Sequence, residues 1–170
     1  MTFHSYTAGL FLLAAGALQA QAPQTATHVT ADQIQTFLKA LPRGATTDKP
    51  IRTVNLGGYR VGVFGVFRPK AGVQEAVLHE TNVTEIYYMP EGSGTLTTGG
   101  TIPRSQRVQT PNGYANQRGP KIESGVSRHV VKGDVVIIPG RTPHWWAEME
   151  SDLSYLVYRP DPDGKTLTLQ

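Results

Sequence analysis

Apolar and polar positions alternate in two different ways along this chain. After a polar stretch, apolar residues recur at helical spacing, which predicts an amphipathic helix with a buried face. Thr30 and Gln33 stand at the positions of a capping box, and Pro42 and Gly44 end the pattern. This helix is expected to pack on the outside of a sheet through Ile34, Phe37, Leu38 and Leu41.

From Ile51 onward the period is two, which is typical of half-buried strands. The runs IRTVNL and YRVGVFGVF predict a hairpin that turns at Gly57 and Gly58. The segment from Thr101 to Ser124 holds three prolines and predicts a long irregular loop. A short strand is expected in KTLTLQ at the end of the chain. The other predicted strands are Val73–His79, Glu85–Met89, Val126–Val131, Val135–Ile138, His144–Met149 and Leu153–Arg159.

About nine short strands separated by tight turns indicate an all-β, antiparallel sandwich or barrel. The 170 residues suit one such domain. The sequence divides into a signal peptide at residues 1–22, a linker and helix at 23–50, and a barrel domain at 51–170.

The first residues are typical of a secretory signal. An apolar run from Ala8 to Leu18 is too short to span a membrane, and Ala20-Gln21-Ala22 resembles a cleavage site. Cleavage is expected after Ala20 or Ala22. The mature protein is therefore predicted to be secreted or periplasmic and not bound to a membrane.

Composition limits the chemistry. The chain has no cysteine, so disulfides, thiolate nucleophiles and cysteine zinc sites are excluded. Its net charge is +3 without a block rich in lysine and arginine, which gives nucleic-acid binding little support. Any metal would need imidazole and carboxylate ligands.

Three such residues stand at predicted strand ends. His79 closes one strand, Glu85 opens the next, and His144 opens a later one after a proline-rich turn. If the first two strands pair, His79 and Glu85 flank their connecting loop and both can point inward. Two histidines and a carboxylate form a facial triad suited to iron, manganese, zinc or nickel, with positions left open for water or substrate.

The same residues can also have purely structural roles that involve no metal. His79 can be a hydrogen-bonded histidine at a strand end. Glu85 inside a barrel costs several kcal/mol unless it is paired, and an arginine such as Arg128 could supply that pairing instead of a metal.

The two stretches that carry these residues resemble the cupin superfamily, specifically small single-domain members. Gly72 starts the first cupin motif, and Glu85 and Gly92 close it at the family spacing. The second motif matches at Gly133, Pro139 and His144. The resemblance covers roughly residues 59–159. It implies a jelly-roll barrel, a divalent metal (iron, manganese or zinc) and pairing into a homodimer.

The match has departures. With a three-residue spacer, His79 and Thr81 take the two histidine positions of the first motif; with a four-residue spacer, Leu78 and Glu80 take them. The first alignment is preferred because it keeps His79 as a ligand. Glu148 replaces the asparagine that ends the second motif. One usual ligand is therefore missing. Glu80, Thr81 and Glu148 are candidates for further ligands or for groups that support the ligands.

Side chains alternate between the two faces of a strand, and this alternation indicates which residues line the pocket. Tyr87 shares a face with Glu85, and Trp146 shares a face with His144, so both are candidate pocket residues, with His129 a third. The basic excess of the long loop, in Arg104, Arg107 and Arg118, could attract an anionic small molecule.

These patterns predict an exported cupin that binds a divalent metal and a small oxygen-rich organic molecule. It could act as a metal-dependent oxygenase, isomerase or lyase. The alternatives are a metal-free ligand-binding barrel and a structural or dimerisation domain.

Overall fold

The computed structural model describes residues 25–110 and 113–169. The predicted signal peptide and its cleavage site lie outside the described residues, as do residues 23 and 24 of the predicted linker. No helix in the described part of the chain is long and apolar enough to cross a membrane. The helix is α1 (Ala31–Ala40), and the strands are β1 (Thr47–Asn55), β2 (Arg60–Arg68), β3 (Ala76–His79), β4 (Glu85–Glu91), β5 (Gly94–Thr98), β6 (Gln106–Gln109), β7 (Ala115–Gly119), β8 (Val126–Val130), β9 (Val135–Ile138), β10 (His144–Met149) and β11 (Leu153–Asp161).

The strands form two antiparallel sheets. One has the order β1-β2-β11-β4-β9, and the other has the order β6-β7-β3-β10-β5-β8. The four-strand runs β2-β11-β4-β9 and β3-β10-β5-β8 make the two facing halves of a jelly roll, in which successive strands cross between sheets. The predicted all-β jelly roll with an outer helix is confirmed.

The β1–β2 hairpin turns where the sequence predicts. Gly57 and Gly58 have φ of 75° and 118°, in the left-handed region that favours glycine. β1 begins at Thr47, earlier than the predicted domain boundary at residue 51, and a bulge between Pro50 and Arg52 carries it past the proline.

Helix α1 lies on the outer face of the first sheet. Leu38 and Leu41 pack there against Phe67 and Leu156. Gly65 on β2 permits this approach, because a Cβ at that position would meet Leu38 Cδ2 at 2.9 Å. The capping box of Thr30 and Gln33 begins the helix as predicted.

The main core fills the space between the sheets. Its members come from alternate positions of the strands, so that Val66 and Val157 face inward while their neighbours Phe67 and Leu156 face the helix. Aromatic residues Tyr87, Trp146 and Tyr155 form the centre of this core.

Two sequence predictions are wrong. The segment from Thr101 to Ser124 contains a hairpin, β6 and β7, at the edge of the second sheet. Every residue of β6 is exposed, and Val108 is its single apolar residue, so the pairing of β6 rests on backbone hydrogen bonds and no apolar alternation marks the strand. The described part of KTLTLQ, residues 165–169, forms no strand.

Candidate metal centre

His79, Glu85 and His144 meet at one end of the barrel. Glu85 Oε2 lies 3.9 Å from His79 Nε2 and 3.2 Å from His144 Nε2. The strands of His79 and Glu85 do not pair, because β3 and β4 lie in opposite sheets. The connection crosses from one sheet to the other, and this crossing directs His79 and Glu85 toward each other across the barrel interior.

Hydrogen bonds fix the orientation of both imidazoles. His144 Nδ1 lies 3.0 Å from the carbonyl oxygen of Thr142, which can only accept, so Nδ1 carries the proton. His79 Nδ1 lies 2.8 Å from Oδ1 of the buried Asn116. A neutral imidazole bonded in this way presents the lone pair of its Nε2 atom to Glu85.

Glu85 is held as a carboxylate by a partly buried arginine. Arg159 on β11 donates from Nε to Glu85 Oε1 at 2.8 Å and from Nη1 to Asp48 at 2.9 Å. Burial by itself raises the pKa of the Glu85 carboxyl, but the Arg159 guanidinium holds that pKa well below its usual range. Only Oε1 is taken by Arg159, so Oε2 remains directed at the histidines.

The contact between His144 and Glu85 therefore brings two acceptors together. Burial lowers the pKa of His144 to about 4, which leaves the imidazole neutral near pH 7. Its Nε2 is buried and has no hydrogen-bond partner among the described residues, although Glu85 Oε2 is 3.2 Å away. Two lone pairs at this distance repel each other unless a proton or a cation lies between them.

The donor set fits a divalent metal ion. One ligand atom from each of His79, Glu85 and His144 lies within 4.8 Å of the others. Bonds of about 2.0–2.2 Å to one ion place neighbouring ligands roughly 3–3.5 Å apart, so the spacing to His144 matches and the spacing to His79 is slightly wide. Neutral imidazoles backed by carbonyl oxygens are typical metal ligands.

A cavity of about 190 Å³ opens beside the three side chains. Val66, Val77 and Val157 form apolar parts of its wall. Its charged lining comprises three arginines and three carboxylates, namely Arg68, Arg118, Arg159, Asp48, Glu75 and Glu85.

Tyr87 lies in this cavity and Trp146 lies behind it. The Tyr87 hydroxyl donates to Glu85 Oε2 at 3.2 Å. Burial, and then the Glu85 charge, raise the pKa of Tyr87 well above its usual range, so the hydroxyl keeps its proton. Trp146 stacks on Tyr87 with ring centroids 6.5 Å apart and belongs to the core rather than to the cavity wall.

Three of the remaining candidates lie away from the triad. Glu80 pairs with Arg107 at 2.8 Å on the surface. Thr81 is buried, but it lines a separate groove with Glu80. His129, considered as a pocket residue, is exposed on β8 and contacts Glu150 instead.

Glu148 is exposed because β10 is not regular. A register shift between Trp146 and Glu148 interrupts the alternation that begins at His144. Met149 consequently takes the buried position, and Glu148 turns to solvent. Simple alternation could not reveal this bulge.

The three arginines of the segment from Thr101 to Ser124 do not lie at one site. Arg118 lines the cavity, where it contacts Glu75 at 3.2 Å. Arg107 is taken by Glu80, and neither it nor Arg104 reaches the cavity.

Sequence reasoning missed Arg159 and proposed Arg128 as the arginine partner of Glu85. Arg128 is exposed on β8. The signal for Arg159 was its position on one strand face with Tyr155 and Val157, both of which face inward. Asn116 gave no signal, because it lies in the segment predicted to be a loop.

The chain is similar to several solved structures at low sequence identity. No family model matches the chain, and no curated protein matches it in sequence. Among solved structures, BH2720 of Bacillus halodurans is 14% identical, with 88% of this chain and 90% of that chain covered and a TM-score of 0.49.

Two other solved structures show a similar degree of likeness. An RmlC-like cupin family protein with a double-stranded β-helix fold, from Methanocaldococcus jannaschii, is 17% identical, with 72% and 88% covered and a TM-score of 0.41. The polyketide cyclase RemF from Streptomyces resistomycificus is 18% identical, with 75% and 74% covered and a TM-score of 0.43. All these TM-scores are below 0.5, and no conclusion about activity follows from them. The strand order itself assigns the fold, which is an antiparallel jelly roll.

Proposed function

We propose that this chain is an exported single-domain cupin that binds one divalent metal ion through His79, Glu85 and His144. A small oxygen-rich organic molecule would occupy the adjoining cavity. The observation that supports this most strongly is the 3.2 Å approach of His144 Nε2 to Glu85 Oε2, two buried acceptors that require a cation or a proton between them.

The surrounding residues suit a reactive site rather than a closed structural one. Three protein ligands leave positions open, and a divalent ion there would polarise a bound oxygen atom or, if it is iron, support oxygen chemistry. Arg159 keeps Glu85 ionised, and Tyr87 holds its Oε2. We infer an oxygenase, isomerase or lyase reaction on a ligand held in the cavity.

Metal analysis of the mature protein, prepared without a polyhistidine tag, tests the proposal. Wild-type protein should retain or take up close to one equivalent of iron, manganese or zinc. The variants His79→Ala and His144→Ala should lose it, while the surface control His129→Ala should retain it. A folded wild-type protein that takes up none of these ions would overturn the proposal.

A metal-free ligand-binding barrel is the second candidate. It is favoured by one observation, the Arg159 guanidinium, which already neutralises Glu85 without a metal. In that case a proton would lie between His144 and Glu85. Ligand binding that is unchanged after chelation would support this candidate over the first.

Homodimer formation and export stay predictions. The outer face of the first sheet exposes Tyr88, Val135 and Ile137, which offers apolar area for pairing or for a purely structural role. Light scattering on the purified protein measures the oligomeric state. Fractionation of cells that express the full chain measures export.

A further inference from the structure

Arg68 differs from every other charged residue of the cavity in its partners. It is the last residue of β2, is partly buried and lines the cavity on the same strand face as Val66. Its Nε donates to the Tyr155 hydroxyl at 2.8 Å, and its Nη1 donates to the Gln74 side chain at 3.0 Å. Both partners are neutral. In the described part of the chain, no carboxylate oxygen lies within 4.0 Å of a guanidinium nitrogen of Arg68, so this residue forms no ion pair there. Its Nη2 makes no hydrogen bond to those residues.

The other two cavity arginines are already matched. Arg159 holds both Glu85 and Asp48, and Arg118 contacts Glu75. A guanidinium removed from water is costly unless an anion pairs with it, and its planar donors suit a carboxylate. Among the described residues, Arg68 is therefore the cavity arginine without a carboxylate partner, and its Nη2 is available to donate to a ligand.

Tyr155 supplies a second donor next to Arg68. Its hydroxyl accepts from Arg68 Nε and, at 3.4 Å, from Trp146 Nε1. A hydroxyl has two acceptor lone pairs and one proton, so these contacts occupy the lone pairs and leave the proton to donate. Tyr155 lines the same cavity, and this proton has no acceptor among the described residues.

We propose that Arg68 Nη2 and the Tyr155 hydroxyl form a carboxylate-binding subsite, which defines the ligand class as small organic carboxylates. The assignment of the opposite wall to a metal ion rests on the proposed function; the subsite itself rests on Arg68 and Tyr155. The ligand's carboxylate binds at this pair, and the rest of the molecule extends past Val66 and Val157 toward His144.

Size and charge support this ligand class. The cavity of about 190 Å³ is smaller than the roughly 300–1,000 Å³ of pockets for drug-sized ligands, so only a short molecule fits. The lining arginines and carboxylates cancel formally, three against three. A divalent ion at His79, Glu85 and His144 would make the cavity cationic, and an anionic ligand restores the balance.

Titration of metal-free, isotope-labelled protein with propionate, followed by NMR, tests the subsite. Propionate should shift the resonances of β2 and β11, and the uncharged isostere propionamide should not. Arg68→Gln should weaken propionate binding at least tenfold and Tyr155→Phe should weaken it severalfold. Arg107→Gln, which removes an arginine already paired outside the cavity, should leave it unchanged.

Several outcomes would overturn the subsite. Propionate could fail to bind the wild type, propionamide could bind equally well, or Tyr155→Phe and Arg68→Gln could leave the affinity unchanged. If Arg68→Gln does not fold, Arg68→Lys and Tyr155→Phe serve instead, and unchanged affinity in both contradicts the proposal. Inorganic phosphate that binds more tightly than propionate would also exclude the carboxylate assignment.

Metal content measured on the same variants separates the two proposals. Arg68→Gln should hold as much metal as the wild type. Propionate binding through Arg68 in a protein that never takes up metal would sustain the subsite and overturn the metal centre. Bound metal without propionate binding would do the reverse.

Discussion

Two histidine–glutamate pairs in this barrel differ mainly in burial. His129 and Glu150 are 54% and 55% exposed, with Nε2 and Oε1 2.9 Å apart. His144 and Glu85 are 4% and 5% exposed, with Nε2 and Oε2 3.2 Å apart. Water screens the outer pair, and contacts of this kind contribute little to stability.

The inner pair, His144 and Glu85, is not screened by water in this way. The Thr142 carbonyl oxygen accepts a hydrogen bond from His144 Nδ1, burial keeps the imidazole neutral, and Arg159 keeps Glu85 charged. The same two residue types thus form an ordinary surface contact in one place and a candidate cation site in the other. Burial and the partners behind each ring make the difference.

Removal of the Glu85 carboxylate should give the largest difference between the inner and the outer pair. Glu85→Ala leaves the partly buried Arg159 with Asp48 as its remaining carboxylate partner. We expect the free energy of unfolding of the metal-free protein to fall by about 3 kcal/mol, near the lower end for a broken buried pair. Urea denaturation measures it. Glu150→Ala is the matched control and should leave the midpoint unchanged; equal losses in the two variants would refute the distinction.

The support behind His79 should have the next largest effect. Asn116→Ala removes the acceptor that orients the ring, and loss of such a partner typically weakens metal affinity about 10–100-fold. Competition with a chromophoric chelator measures the affinity. Asn82→Ala, at an asparagine that contacts Asp163 away from the triad, serves as the control. An affinity equal to that of the wild type would show that Asn116 does not position His79.

A smaller loss is expected at Tyr87. Tyr87→Phe removes one buried hydrogen bond to Glu85 Oε2 and should cost about 1 kcal/mol of stability in the metal-free protein. Thermal unfolding of the two proteins at one pH measures this cost. A variant more stable than the wild type would indicate that the hydroxyl is not bonded to Glu85 in solution.

The smallest effect is expected at Glu80. It is exposed and paired with Arg107 outside the cavity, so Glu80→Ala should leave the metal content unchanged. Measurement of bound metal by mass spectrometry checks this. A proportional loss of metal would return Glu80 to the ligand set.

The sequence pattern alone predicted much of the fold and of the candidate site. The period-two runs predicted β2, β4, β9, β10 and β11, and the positions of His79, Glu85 and His144 at strand ends placed them together. Turn glycines of the two motifs agree with the backbone, since Gly92 and Gly133 have φ of 87° and 93°.

The features that the sequence did not predict depend on tertiary structure. The bulge before Glu148 reverses the facing of a strand, and nothing in the sequence HWWAEM marks it. The β6–β7 hairpin is polar, so periodicity could not find it or its Asn116. Arg159 lies on an inward-facing position, but which carboxylates it meets depends on how distant strands β1, β4 and β11 are aligned in the sheet.

The most direct test of the central claim is anomalous diffraction from crystals soaked with zinc and measured at the zinc absorption edge. We predict one strong peak at bonding distance from His79 Nε2, His144 Nε2 and Glu85 Oε2, with those atoms drawn closer together. An empty position there, with His144 still 3.2 Å from Glu85 as in the metal-free pair, would contradict the account and establish a protonated, metal-free contact.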